Sequence, residues 1–216
     1  MGSGVFTGCR LKEVEIDFFE GTQSCLKEIL TDIRYEIMAT LRYPEGETAK
    51  VLFPEYYADA VENTPARIVE THYYGSGGDY RECFYRRTMD FDKYDRMFIL
   101  SRARDEEEVT ANLAAARLLY PYMLSEKSKE QYRSYIKEHI KLLAGEWIKM
   151  ISENKTMSAG EPFLMIEYCL REHLFTGESM EEAISQAVLY GQAELAGRLM
   201  EEQKLHFRKK KKTFDL

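Results

Sequence analysis

The spacing of apolar residues changes period along this chain. In the stretch 2–16, GSGVFTGCRLKEVEI, Val14 and Ile16 alternate with charges. That alternation predicts a short strand with one buried face, and Phe6, Cys9 and Leu11 are expected to enter the same core. From Ile33 the positions Ile33, Tyr35, Ile37, Ala39, Leu41 and Tyr43 alternate with Arg34, Glu36, Thr40 and Arg42, which predicts a longer strand. A helix running on from Cys25 is the competing pattern. Pro44 to Glu47 forms a turn, and Lys50 to Phe53 is a second short strand. Pro54 is expected to open a helix over PEYYADAVEN, because proline suits the first helical position, and Pro65 to close it. Arg67 to Tyr74 again reads as strand, and Gly75-Ser76-Gly77-Gly78 as a flexible turn.

From Asp90 the period becomes helical. Asp90 is placed to cap a first helix carrying Tyr94, Met97, Phe98 and Ser101. Asp105 to Glu108 start a second, with Val109, Leu113, Ala116, Leu118 and Leu119 as its apolar face and Pro121 as its stop. Ser125 caps a long third helix whose core face is Tyr132, Tyr135, Ile136, His139, Leu142, Leu143, Trp147 and Ile148. Three shorter helices follow at 161–173, 179–190 and 193–207, with Gly177 and Gly191 between them. The expected class is mainly α within an α+β fold: a small β portion first, then an array of helix pairs.

Two resemblances attach to these patterns. Gly2, Val5, Phe6, Cys9, Leu11, Val14 and Ile16 resemble one unit of the bacterial surface-antigen (BspA-like) leucine-rich repeat. One residue is missing between Cys9 and Leu11, and Asp17 stands where that family often has proline. A fainter echo runs through Cys25-Leu26-Lys27-Glu28-Ile29. Near the other end, Gly191, Glu194, Leu195, Leu199 and Met200 resemble the ankyrin repeat, with Gln192 in place of its histidine and without its Thr-Pro-Leu-His opening. Taken together the chain resembles the C-terminal region of uncharacterised bacterial leucine-rich-repeat proteins. The resemblance implies four segments: a last repeat-like rung at 1–24, a mixed junction at 25–89, a helical ankyrin-like domain at 90–207 and a basic tail at 208–216. It implies an interaction or scaffold role and brings no activity with it.

Composition narrows the function classes. Of 216 residues, 44% are hydrophobic and 31% charged, an ordinary globular balance. The net charge of −7 argues against general nucleic-acid binding, which needs a basic surface. Only Arg208 to Lys212 offers a compact basic run, and its expected role is a solvated helix end. A weak nucleic-acid or anionic-surface contact by this run is the alternative. No stretch has the apolar length of a membrane span. The start MGSGVFTGC lacks the layout of a signal peptide and opens inside a pattern, so a longer parent protein is expected. Cys9, Cys25, Cys83 and Cys169 are scattered, which fits reduced thiols and favours a cytoplasmic setting for this segment. The resemblance implies a surface-associated parent.

Candidate chemistry concentrates in 50–98, rich in tyrosine, arginine and carboxylate. Glu55, Asp59 and Glu62 would share one face of the expected helix, and with His72 they are the raw material of a carboxylate–histidine hydrolase. A solvated, arginine-paired face explains the same residues. Asn63, Arg67, His72, Tyr73, Tyr74, Tyr80, Arg81, Arg86 and Arg87 are the candidates for an interaction surface or for hydrogen-bonded ties between neighbouring elements. The glycines at 75–78 lack the lysine and spacing of a phosphate loop. Cys169 and His173 stand four apart on one expected helix, a core thiol beside a surface histidine rather than a metal pair. The reading is a non-catalytic interaction module with a protein partner and no cofactor.

Overall fold

The computed structural model describes residues 4–63, 68–155 and 161–207, with side chains described outside 60–73. It is a mixed α+β chain, a small N-terminal sheet followed by a helical array. In chain order the described elements are β1 (Glu13–Asp17), α1 (Leu26–Asp32), β2 (Ile37–Arg42), β3 (Thr48–Phe53), β4 (Tyr57–Asn63), β5 (Ile68–Tyr74), α2 (Gly77–Arg81), β6 (Phe84–Tyr85), β7 (Thr88–Met89), α3 (Phe91–Arg96), α4 (Phe98–Arg104), α5 (Glu107–Leu119), α6 (Glu126–Ser152), α7 (Pro162–Arg171), α8 (Gly177–Leu189) and α9 (Ala193–His206). Two compact units divide the chain, Met1–Tyr132 and Arg133–Leu216. This partition differs from the segments named from the sequence.

In the first unit β1, β2 and β3 form one sheet in that order, β1 parallel to β2 and β2 antiparallel to β3. A parallel pair needs a crossover, and α1 supplies it. The central strand β2 is buried from Ile37 to Leu41 on both faces, Thr40 included. Alternation therefore fails where the sheet is covered twice. Helix α5 packs on β3 and is itself buried nearly all round, at Ala111, Leu113, Ala114, Ala115, Ala116 and Leu118.

An ion pair sits beneath that helix. Arg117 of α5 is fully buried, and its Nε and Nη2 meet the two carboxylate oxygens of Asp95 in α3 at 2.8 and 3.0 Å. Tyr132 Oη donates to the same carboxylate at 2.8 Å, and the guanidinium also donates to the carbonyls of Tyr120 and Tyr122. The Phe91 ring lies 5.1 Å from the guanidinium carbon. Aromatic rings fill the space around the pair: Phe18, Tyr43 and Tyr122 stack in a column, and Tyr94 meets Phe53 and Tyr80 edge-on while its hydroxyl donates to Leu52 O at 2.6 Å.

In the second unit the later part of α6 carries Tyr135, Ile136, Ile140, Leu143, Ala144, Trp147 and Ile148 inward. Met165, Ile166, Cys169 and Leu170 of α7 are buried, and α8 pairs with α9 across a turn in which Gly191 takes φ +69°. Thr176 and Ser179 form a capping box at the start of α8.

Several expectations are corrected. The expected helix over 54–63 is strand β4, paired in antiparallel register with β5 from Tyr57↔Tyr74 to Asn63↔Ile68. Proline at the first position permits a helix but does not impose one, and the tyrosines and valine of this run suit a ribbon equally well. The expected strand from Ile33 begins only at Ile37, because the competing helix takes Leu26–Asp32. The echo of the first repeat-like stretch therefore folds as α1, whereas Glu13–Asp17 is strand. Cys9 is exposed, and Phe6 and Leu11 are only half-buried. Leu142 points outward, 57% exposed, and Ile140 and Ala144 take its place in the core. Gly177 is the first residue of α8 rather than a spacer. The basic run 208–212 lies outside the described residues.

Replacing Arg117 by Met strands the Asp95 carboxylate in a dry core and is expected to cost about 3–5 kcal/mol. Urea unfolding followed by circular dichroism measures this. The double variant Asp95→Leu/Arg117→Met should lie closer to the parent than Arg117→Met alone, since no unpaired charge is left behind.

Candidate interaction site

The candidate residues do not gather into one cluster. Arg81, at the end of α2, is 7% exposed and spends its guanidinium on backbone carbonyls. Nε donates to Ile33 O at 3.1 Å, Nη1 to Pro54 O at 2.7 Å and Gly77 O at 2.8 Å, and Nη2 to Tyr35 O at 2.9 Å. These carbonyls come from the segment after α1, the end of β3 and the start of α2. One side chain thus ties three separate pieces of chain. The Tyr56 ring lies 4.8 Å from its guanidinium carbon. Burial pushes the Arg81 pKa down to about 10, which still leaves it protonated at neutral pH.

The glycine run that precedes Arg81 is built into this tie, which overturns the flexible-turn expectation. Gly75 takes φ +76°, and Ser76 is fully buried. Ser76 N donates to Asp105 Oδ1 at 2.8 Å, and its hydroxyl donates to the second oxygen of the same carboxylate. A side chain at Gly77 would run into the Pro54 carbonyl and Arg81 Nη1. Gly75 and Gly77 are there because backbone comes against backbone, and no phosphate is needed to explain them.

Tyr80 is fully buried edge-on to Tyr94, and its hydroxyl has no hydrogen-bond partner among the described residues. Tyr74 is 44% exposed and stacks on Tyr57 of the facing strand, ring centroids 4.5 Å apart. In the backbone register His72 faces Asp59 and Tyr73 faces Ala58. The side chains of Asn63, His72 and Tyr73, and all of Arg67, lie outside the described residues. Arg86 takes φ +55° in the turn between β6 and β7 and lies over Tyr85 at 5.6 Å. Arg87 pairs with Glu28 of α1 at 2.8 Å, while its carbonyl accepts from Ser24 N.

The helical face expected to carry Glu55, Asp59 and Glu62 does not form, because 57–63 is a strand. With β4 a strand, Asp59 and Glu62 occupy strand positions of opposite parity rather than one helical turn. Glu55 and Asp59 are exposed, and Arg81 serves carbonyls rather than a substrate carboxylate. Sequence reasoning missed a different acidic neighbourhood. The Glu36 carboxyl is held above its ordinary range, first by burial and then by the charges of Glu108, Glu55 and Asp105. It also missed Tyr35, 47% exposed with Arg10 over its ring at 5.9 Å, and Tyr57, 50% exposed. Half-exposed tyrosines held by arginines and by each other are the residue types that carry binding energy at protein interfaces. Strict alternation around Tyr35 placed it with the core, which concealed this signal.

In the second unit a groove of about 550 Å³ between α6 and α8 is lined by Leu142, Gly145, Glu146, Glu182, Gln186 and Tyr190 among others. All four cysteines are free thiols, Cys83 and Cys169 buried, Cys25 half-buried and Cys9 exposed. Burial raises the Cys83 thiol to about 12. Among the described residues no helix is long and apolar enough to cross a membrane.

Gly77→Ala should destabilise the first unit by about 1–3 kcal/mol, since the opposing atom is backbone and cannot swing away. Thermal unfolding reads it directly. Glu36→Gln tests the acidic neighbourhood. With its folded pKa raised above 4.5, ionisation favours unfolding as pH climbs through that range. The variant should therefore be more stable than the parent at pH 7 and match it once both carboxyl states are protonated at acid pH, measured by urea titration at the two pH values.

Comparison of the chain with protein-family models, with curated proteins and with solved structures finds no match.

Proposed function

We propose that this chain is a non-catalytic protein–protein interaction module that caps the C-terminal end of a leucine-rich-repeat protein. In this reading β1 is the strand on which a preceding rung stacks, and the α8–α9 pair is an ankyrin-like helical end. The observation that carries it is the edge of the sheet. β1 is an outer strand, joined to β2 in the parallel sense in which solenoid strands stack. The chain leaves its apolar residues half-covered: Phe6, Leu11, Val14 and Ile16 are only partly buried, Val5 is 57% exposed and Phe19 88% exposed. An apolar set beside an open strand edge is a surface that a further strand would cover. The charges on the strand are largely answered within the chain, since Arg42 pairs with both Glu15 and Asp17.

A fusion tests this. Two leucine-rich rungs placed ahead of Gly2 should melt together with the chain in one transition, and the β1 amides should gain protection from hydrogen exchange. Val14→Lys/Ile16→Lys should uncouple the two parts while leaving the unfused chain folded. Independent melting of the rungs with an unaltered β1 would sink the proposal.

A further inference from the structure

Arg81 gathers three pieces of chain, and each carries a tyrosine that stays half-exposed: Tyr35, Tyr57 and Tyr74. Further contacts hold the pieces side by side. Tyr56 N donates to Arg34 O at 3.1 Å, Gly75 lies directly against the Glu55 carbonyl, and the Tyr57 and Tyr74 rings stack within 14° of parallel. Stacking covers one face of each ring and leaves the other open. Rings in this neighbourhood already accept guanidinium groups of their own chain. Arg81 and Arg34 lie over Tyr56 at 4.8 and 5.9 Å, and Arg10 lies over Tyr35 at 5.9 Å.

Carboxylates stand among the same segments. Glu36 follows Tyr35, Glu55 precedes Tyr56, and the bonds from Ser76 to Asp105 bring in the start of α5 with Glu108. Among the described residues Glu36, Glu55 and Glu108 enter no salt bridge. After burial, it is the charges of Glu108, Glu55 and Asp105 that hold the Glu36 carboxyl up, and Lys12 offsets them only in part. Carboxylates that repel one another beside open aromatic faces favour a cation, and a planar one most. A neutral sugar relieves no repulsion, and a nucleic acid adds to it.

We propose that Tyr35, Tyr57 and Tyr74, with Glu36, Glu55 and Glu108, form a docking surface for an arginine-bearing peptide segment of a partner protein. The partner's guanidinium lies on an open tyrosine face and donates to a neighbouring carboxylate. This rests on the reading of the chain as an interaction module and is independent of its capping role.

The test titrates the full, unfused chain by calorimetry with the peptide acetyl-Gly-Arg-Gly-Arg-Gly-Arg-Gly-amide. Saturable binding is expected. The lysine counterpart should bind at least about threefold more weakly, because an ammonium lacks the planar fork, and the glutamate counterpart should not bind. Tyr57→Ser and Glu55→Gln, both at exposed positions, should each weaken the arginine peptide about three- to tenfold with unchanged circular dichroism. In NMR the amides of Tyr35, Glu36, Tyr57 and Gly75 should shift, and those of Val14 and Ile16 should not. Absence of saturable binding would overturn the proposal. So would equal affinity for the lysine peptide with both variants unimpaired, which marks net charge alone, or shifts confined to β1. Peptide binding alongside independently melting rungs would keep this surface and sink the cap; cooperative melting without peptide binding would do the reverse.

Discussion

The first unit depends on the desolvated contact between Asp95 and Arg117. Two opposite charges in a core are tolerable only when nearly every hydrogen-bonding position is used. Here the carboxylate takes two guanidinium bonds and one phenol, and the guanidinium reaches two carbonyls besides. The arrangement fixes α3 against α5 and the chain that leaves α5 against both. Since α5 in turn lies on β3, the pose of the helices over the sheet is specified by polar geometry, and the surrounding apolar packing would accept other registers.

Arg81 repeats the device with neutral partners. It binds carbonyls that are 27, 46 and 48 residues away in sequence, joining loops that no ladder or helix would otherwise join. The arginines of the central segment thus differ sharply in role. Arg81 is enclosed, Arg87 is tethered to α1, and Arg86 lies on an exposed turn. The exposed tyrosines around them remain the part of that segment available to a partner.

The helices were legible because their signals are local. Asp90 accepts from Lys93 N and Ser125 from Ser128 N, so the caps stand where the residue types placed them. The turn at 44–47 and the strands at 48–53 and 68–74 were also readable from local pattern. Pro54 misled because the pairing that makes 57–63 a strand is non-local. Thr40 misled because one-sided burial was assumed for a sheet covered on both sides, and Tyr35 because it precedes the strand that alternation assigned it to. Arg117 was not singled out, because nothing local marks it as buried. Only the approach of Asp95, distant in sequence, turned it inward. The neighbourhood that Tyr35 shares with Tyr57 and Tyr74 was invisible for the same reason, since their segments come together only in the fold.

The order of the elements also bears on synthesis. The sheet is complete once Phe53 has been made, but α5, which covers β3, ends at Leu119. At ordinary translation speeds the intervening chain takes on the order of several seconds. For that interval β2 and β3 present Ile37, Leu41, Val51 and Phe53, all fully buried in the finished fold, without their helix. Until α5 has been made, the sheet lacks the layer that covers β3, and the contact between Arg117 and Asp95 that fixes that layer cannot form.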